Sequence, residues 1–291
     1  MEPVPVMSMI KSCITISLVE EARGGPFVLW GELGAAIKTA GELGFDGVEI
    51  FPPGPEAIDA KTLAPLLRDQ DLSLAAVGTG AGWVKHRLQL ADADASRRQR
   101  AINFVRSIID VAGPLGASTI IGSMQGRHDD QVSRETALSY LRESLDILGE
   151  HAEQYRTPLF YEPLNRYETN QINTVAAGVG LLQSLTTANV RLLCDLFHMQ
   201  IEETSTSAAL IDGSHYVGHI HFVDSNRRPV GEGQMQIGPI IAALRSIGYE
   251  GYLSAEAFAY PDSLSAAQQA MRAYRYWTAA PSPSLSTAAP A

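Results

Sequence analysis

Short runs of apolar and β-branched residues recur along the chain at 13–18, 47–51, 72–79, 118–123, 158–164, 190–197, 217–224 and 252–258. Most are continuously apolar, the pattern of parallel strands covered on both faces. Stretches with helical periodicity lie between them. The clearest are 96–111, with Ile102, Val105, Ile108 and Ile109 on one face, and 133–155, with Leu138, Leu141, Leu145 and Leu148 on one face. Leu43-Gly44-Phe45-Asp46-Gly47 and Ile247-Gly248-Tyr249-Glu250-Gly251 each place a glycine just past a last helical turn and lead into an apolar run. Eight βα units in about 270 residues predict an α/β fold, a (β/α)8 barrel of parallel strands with surrounding helices. A doubly wound open sheet that binds nucleotide would show a Gly-rich turn after its first strand. Ile16-Ser17-Leu18-Val19-Glu20-Glu21 has none. Gly78-Thr79-Gly80-Ala81-Gly82 lacks the helix and the later acidic residue of a dinucleotide site, and reads as a flexible loop at the barrel mouth.

Composition narrows the picture further. The chain has 291 residues, read as one barrel over 1–278 and a disordered Pro/Ser/Ala tail over 279–291. Lys and Arg number 22 against 32 Asp and Glu, a net charge of −10, and no local basic patch offsets it. That argues against a nucleic-acid partner. Charged residues are only 19%, which leaves room for a covered subunit contact. The two cysteines, Cys13 and Cys194, lie in apolar runs and read as buried free thiols in a reducing compartment. No basic stretch leading into an apolar one opens the chain, and no apolar stretch is long enough to span a membrane. The expectation is a soluble, cytoplasmic protein with no membrane partner.

The chemistry gathers at the ends of the last four apolar runs. Glu162, Asp195, His221 and Glu256 each place an ionisable group in a run otherwise fit for burial. A buried charge costs several kcal/mol unless it is paired or bound to metal. In a closed parallel barrel the C-terminal strand ends converge on one mouth. Three carboxylates and an imidazole there suit an octahedral divalent ion, with Mn²⁺ the first choice and Co²⁺ or Mg²⁺ possible. Zinc is less favoured, because its usual sites carry more His or Cys. His219 shares the strand face of His221, one step deeper, and reads as a residue supporting the site or the core.

The motifs Glu162-Pro-Leu-Asn-Arg-Tyr-Glu168, Asp195-Leu-Phe-His198, His221-Phe-Val-Asp-Ser-Asn-Arg227 and Gly231-Glu-Gly233, with the terminal Glu256, extend the pattern. Through them the chain resembles the xylose-isomerase-like barrel superfamily, and within it the ketose 3-epimerases of the D-tagatose and D-allulose (psicose) type. The resemblance implies that Glu162, Asp195, His221 and Glu256 ligate the metal, that Glu162 and Glu256 double as acid and base, and that Glu168, His198 and Arg227 contact substrate oxygens. It implies inversion at C3 of a ketose through a cis-enediolate, a small sugar as partner, and a homodimer or homotetramer. Pro163 stands where those epimerases commonly carry an aliphatic residue, while hydroxypyruvate isomerase and inosose-modifying relatives also show Glu-Pro. An isomerase or a keto-sugar lyase on the same metal site therefore stays open. The abasic-site endonuclease branch needs many more His ligands and a basic groove, against which the seven scattered His and the acidic balance argue.

Several further residues read two ways. Asp224 is placed to hold Arg227 or His198. Asn165 suits a turn, Arg127 and His128 could line the mouth, and Trp83 could either pack or stack on a sugar.

Overall fold

Apolar runs that cannot alternate need cover on both faces, and here a barrel lumen and a ring of helices provide it. The computed structural model describes residues 10–279. Its strands are β1 (Lys11–Ser17), β2 (Leu29–Trp30), β3 (Gly47–Phe51), β4 (Ser73–Gly78), β5 (Ser118–Ile121), β6 (Leu159–Tyr161), β7 (Val190–Asp195), β8 (Val217–His221) and β9 (Tyr252–Ala255). All pairings are parallel in the order β1-β3-β4-β5-β6-β7-β8-β9, and the register Lys11↔Tyr252 to Ile14↔Ala255 returns β9 to β1 and closes the barrel. All eight expected runs are barrel strands. The addition is β2, a two-residue strand that continues outward from the end of β1 through Ile16↔Leu29 and Ser17↔Trp30.

The helices are α1 (Leu33–Leu43), α2 (Ala60–Asp69), α3 (Ala81–Val84), α4 (Ala95–Ala112), α5 (Arg134–Glu153), α6 (Val175–Gln183), α7 (Leu196–Glu202), α8 (Thr206–Asp212), α9 (Ile237–Ser246) and α10 (Ser263–Thr278). The apolar face expected on α4 is buried, and Leu141, Leu145 and Leu148 of α5 are fully covered. Local chemistry sets the helix ends. Asp94 caps α4 by accepting from the N–H groups of Ser96 and Arg97, and Ser133 caps α5 by accepting from Thr136. Gly44 and Gly248 adopt left-handed φ values of 82° and 66°, as the helix-stop reading requires.

Strand ends differ from the sequence expectation in one consistent way. The last four runs are shorter than drawn, since β6 stops at Tyr161, β7 at Asp195, β8 at His221 and β9 at Ala255. Pairing stops where the chain leaves the barrel wall, while the apolar pattern continues into loops buried over the mouth. The segment at 78–82 is also not simply a loop. From Ala81 it winds into the one-turn helix α3. A side chain at Gly78 would collide with the Phe51 ring, so this glycine answers a close approach.

The main core lies between strands and helices. A smaller cluster of Phe51, Ala76, Ile120, Phe160 and Leu193 fills the lumen beneath the mouth. Among the described residues no helix is long and apolar enough to cross a membrane. Residues 1–9 of the expected barrel span, and 280–291 of the expected tail, lie outside the described residues.

Cys13 and Cys194 are buried and unpaired. Burial pushes both thiols up, and nearby carboxylates push in the same direction: Glu49 at Cys13, and Glu203 and Asp195 at Cys194. The native protein should therefore leave Ellman's reagent unreacted over an hour at pH 8, and release two equivalents once unfolded in guanidinium. Rapid native labelling of either thiol would contradict the packing described.

Candidate active site

Glu162 and Glu256 each follow the last residue of a strand, β6 and β9, while Asp195 and His221 are themselves the last residues of β7 and β8. Four consecutive strand ends thus bring four ionisable groups to one level of the barrel. One donor atom from each lies within 4.8 Å of all the others, and all four residues are buried. Nδ1 of His221 is 3.3 Å from Asp195 Oδ2, 3.4 Å from Glu256 Oε2 and 3.5 Å from Glu162 Oε1. A side chain at Gly122 would run into the Glu162 carboxylate, so the end of β5 leaves room for that group.

Asp195 divides its two oxygens. Oδ1 accepts from the backbone N–H of Phe197 at 2.7 Å and of His198 at 3.4 Å, capping α7, while Oδ2 faces the cluster. The helical turn that begins there solves a problem of parity. On a continuing strand His198 would face away from Asp195. In α7 it is instead buried with Nε2 3.7 Å from Glu162 Oε1 and 3.8 Å from Asp195 Oδ2. Its Nδ1 accepts from the backbone N–H of Asn165 at 3.2 Å and from Asn165 Nδ2 at 2.7 Å. The amide orientation is fixed because Asn165 Oδ1 accepts from Tyr167 N–H. A neutral His198 therefore carries its proton on Nε2, toward the cluster. Asn165 is a turn residue, as its sequence context suggests, but it also orients His198, and nothing in the local sequence reports a contact across 33 positions.

Arg227 has a left-handed backbone, φ 58°, and a buried side chain. Its guanidinium donates to Glu256 Oε2 at 2.5 Å, Asp195 Oδ2 at 3.4 Å and Glu168 Oε1 at 3.3 Å, and lies 4.8 Å above the Phe197 ring. All seven residues singled out by sequence, including Glu168, Arg227 and His198, are thus gathered here. Three of them present buried polar atoms with no partner: Glu162 Oε1, His198 Nε2 and Arg227 Nε. An unsatisfied buried polar atom costs about 1–3 kcal/mol, so three converging on one space mark a place built for a ligand.

Electrostatics divide the carboxylates. Burial raises the pKa of Glu162, Glu256 reinforces the rise, and His221 opposes it. Burial would also raise Asp195, but its neighbours His198, Arg227 and His221 outweigh it and hold that carboxyl well below the usual range. For His221 burial favours the neutral ring, and the surrounding carboxylates of Glu256, Glu49, Asp195 and Glu162 reverse that preference.

A cavity of about 550 Å³ opens from this cluster. One end carries Glu162, Glu168, His198, Arg227 and Glu256, while Val19, Ala22, Pro26, Phe27, Phe51 and Val84 line much of the rest. Neither Arg127, His128 nor Trp83 lines it. Trp83 packs against the main core instead. Asp224 holds Arg227 through the backbone rather than through the guanidinium, and makes no hydrogen bond to His198. Its carboxylate accepts from the N–H groups of Ser225, Gly231 and Met235, and its carbonyl accepts from Arg227 N–H. It thus organises the whole loop that carries Arg227.

Glu49 is the main residue that sequence reading missed. This acid in the middle of β3 is fully buried, with its carboxylate between His219 and His221. The available signal was the one used for the other four, an ionisable residue inside an apolar run, here Gly47-Val48-Glu49-Ile50-Phe51.

The closed parallel barrel thus carries at its C-terminal mouth a cluster of three carboxylates and an imidazole, a donor set that could hold a metal ion. Residues 37–277 match the model of the xylose isomerase-like TIM barrel family, and the chain belongs to that family. A D-psicose 3-epimerase of Ruminiclostridium cellulolyticum is 36% identical over 229 residues, 76% of this chain and 77% of the relative. A 3-dehydro-D-guloside 4-epimerase of Escherichia coli is 27% identical over 248 residues, 77% of this chain and 89% of that one. Among solved structures, an L-ribulose 3-epimerase superposes with a TM-score of 0.77 at 24% identity, covering 93% of this chain and 94% of the other. These relatives are carbohydrate epimerases, and the chain stands with enzymes of the isomerase class.

Because Asp224 holds three backbone donors from a buried position, Asp224→Ala should loosen the loop that presents Arg227. The expected cost is about 1–3 kcal/mol of stability, with faster amide hydrogen exchange at 225–235 than in the barrel strands. Unchanged protection in that segment would show that other contacts hold the loop.

Proposed function

We propose that the chain is a divalent-metal-dependent epimerase that inverts C3 of a ketose, with Glu162 and Glu256 as the acid/base pair. The observation that carries this reading is the placement of those two carboxylates. They follow β6 and β9, separated by β7 and β8 on one side of the barrel and by four strands on the other, yet reach the same cluster. Inversion of a carbon acid requires one group to remove the proton and another to return one from the opposite face. Two carboxylates reaching one space from separate strands meet that requirement.

The residues present suit a hard divalent cation. Glu162, Asp195, His221 Nδ1 and Glu256 would hold it, and the partnerless Glu162 Oε1 is a donor such an ion would satisfy. When bound, the ion supplies Lewis acidity to the substrate's C2 carbonyl and C3 hydroxyl oxygens. Mn²⁺ is the leading candidate by the donor set, with Co²⁺ or Mg²⁺ compatible. His198 offers its Nε2–H where negative charge develops on O2 as the C3 proton leaves, and Asn165 keeps that proton on Nε2. Arg227 and Glu168, linked at 3.3 Å, are placed to orient the neighbouring substrate oxygens. Phe197 beneath the guanidinium and Leu164 in the cavity wall limit water around the reacting carbon.

Work at C4 of a 3-keto-glycoside is the second reading. The Escherichia coli relative supports it, as does a cavity whose far end is lined largely by apolar side chains. The chemistry is the same, a proton removed beside a carbonyl, moved by one carbon.

Proton NMR in D₂O separates these readings. With fructose or tagatose, deuterium entering only at C3 with formation of the inverted ketose is the expected result. Exchange confined to C1 would identify an aldose–ketose or hydroxypyruvate-type isomerase, exchange at C4 of a 3-keto-glycoside the second reading, and no exchange with free ketoses would sink the first. Glu162→Gln and Glu256→Gln should each lower kcat by at least about 10³-fold, with metal still bound in at least one of the two. A variant that keeps near wild-type turnover refutes the two-base scheme. EDTA should abolish turnover, and Mn²⁺ or Co²⁺ should restore it.

A further inference from the structure

His221 has two ring nitrogens, and only Nδ1 faces the carboxylates of the active site. Nε2 points the other way, 3.0 Å from Glu49 Oε1. The second oxygen of that carboxylate, Oε2, lies 2.6 Å from Nε2 of His219. Glu49 is fully buried, and the groups that its carboxylate meets are two imidazoles, with no lysine or arginine among them. A carboxylate ionised in such a place is costly. Hydrogen bonds from an imidazole to each of its two oxygens are what make a buried carboxylate tolerable there. A carboxylate set between two ring nitrogens, 2.6 Å from one and 3.0 Å from the other, accepts from both, so each imidazole meets it with Nε2–H.

We propose that Glu49 is the positioning residue of the metal site: it holds the proton of His221 on Nε2, so that the Nδ1 lone pair is offered to the cation. The argument rests on competition between two sides of one ring. Asp195, Glu162 and Glu256 lie 3.3–3.5 Å from Nδ1 and would draw a proton there, turning the nitrogen into a donor that no cation can use. Glu49 sits closer, at 3.0 Å, on the opposite nitrogen and draws the proton to that side. His219 braces the arrangement. It occupies Oε2, leaving Oε1 for His221, and its own ring is stacked on Phe160 with centroids 5.1 Å apart and planes 20° from parallel. Holding strands together does not account for the contact. Glu49 is on β3 and both histidines are on β8, with β1 and β9 between them already joined by backbone pairing. Support of this kind from behind a ligating histidine typically changes metal affinity by about 10–100-fold.

The inference rests on the metal reading of the cluster, and one experiment separates the two. The full chain, stripped with EDTA, is titrated with Mn²⁺ by calorimetry alongside Glu49→Gln, and thermal unfolding of both is followed in EDTA. Glutamine keeps the shape and one accepting oxygen but loses the charge. The expected result is Mn²⁺ binding about 10–100-fold weaker in Glu49→Gln, with the metal-free melting temperature of the variant close to that of the native chain. Equal Mn²⁺ affinity in the two proteins overturns the role of Glu49 alone, whereas a native chain that binds no Mn²⁺ overturns the metal reading and this inference with it. Should Glu49→Gln fail to fold, long-range proton–nitrogen NMR of the native chain with Mg²⁺ decides the matter, using His219→Phe for assignment. His221 must then show its proton on Nε2, and a proton on Nδ1 refutes the proposal.

Discussion

Three carboxylates brought within a few ångströms of one another in a buried barrel mouth repel each other and lose their hydration, and much of the surrounding structure answers that one constraint. His221 stands among them, Arg227 reaches Glu256 and Asp195 from its loop, and helix α7 offers two backbone N–H groups to Asp195. None of these partners is adjacent in sequence to all that it serves. The closed barrel supplies the rigidity that keeps the groups together against their repulsion, since each is at or just past the end of a strand hydrogen-bonded on both sides. An open sheet with the same residues could relieve the repulsion by splaying, and the site would be lost.

The same constraint explains why single residues have double duties. Asp195 caps a helix with one oxygen and faces the cluster with the other, so the turn that places His198 is controlled by the residue beside which His198 must act. Asn165 shapes the turn after β6 and fixes the His198 tautomer. Asp224 gathers the N–H groups of an entire loop and thereby fixes where Arg227 begins. Such coupling makes the site stiff at the reacting end, while the far cavity is formed by side chains from the segment that follows β1, from Phe51 at the end of β3 and from the one-turn helix α3, which make few polar demands. Division of labour of this sort lets a barrel keep its chemistry while its loops change the substrate.

Sequence reading succeeded where a chemical rule overrode local context. Eight apolar runs identified the strands because parallel strands covered on both faces leave no other pattern. Glu162, Asp195, His221 and Glu256 stood out because an ionisable group in such a run costs too much to be incidental. The same rule applies to Glu49, an ionisable group inside the apolar run 47–51. Strand ends fall short of the apolar runs because residues such as Leu196, Phe222 and Ala257 are as apolar as the strands before them, being buried at the start of α7 or in loops rather than in the sheet.

By itself, then, the sequence determined the alternation of strand and helix, the glycine stops at Gly44 and Gly248, and the four ionisable groups Glu162, Asp195, His221 and Glu256 at the mouth, because all of these follow from periodicity or from the cost of a buried charge. Tertiary structure alone decided which nitrogen of His198 and of His221 faces the site, what Arg227 pairs with, and that Asp224 serves a loop. The Asp224 contacts lie 1 to 11 positions apart, the others 26 to 172, and in each case a hydrogen bond's direction is set by the partner that the fold delivers.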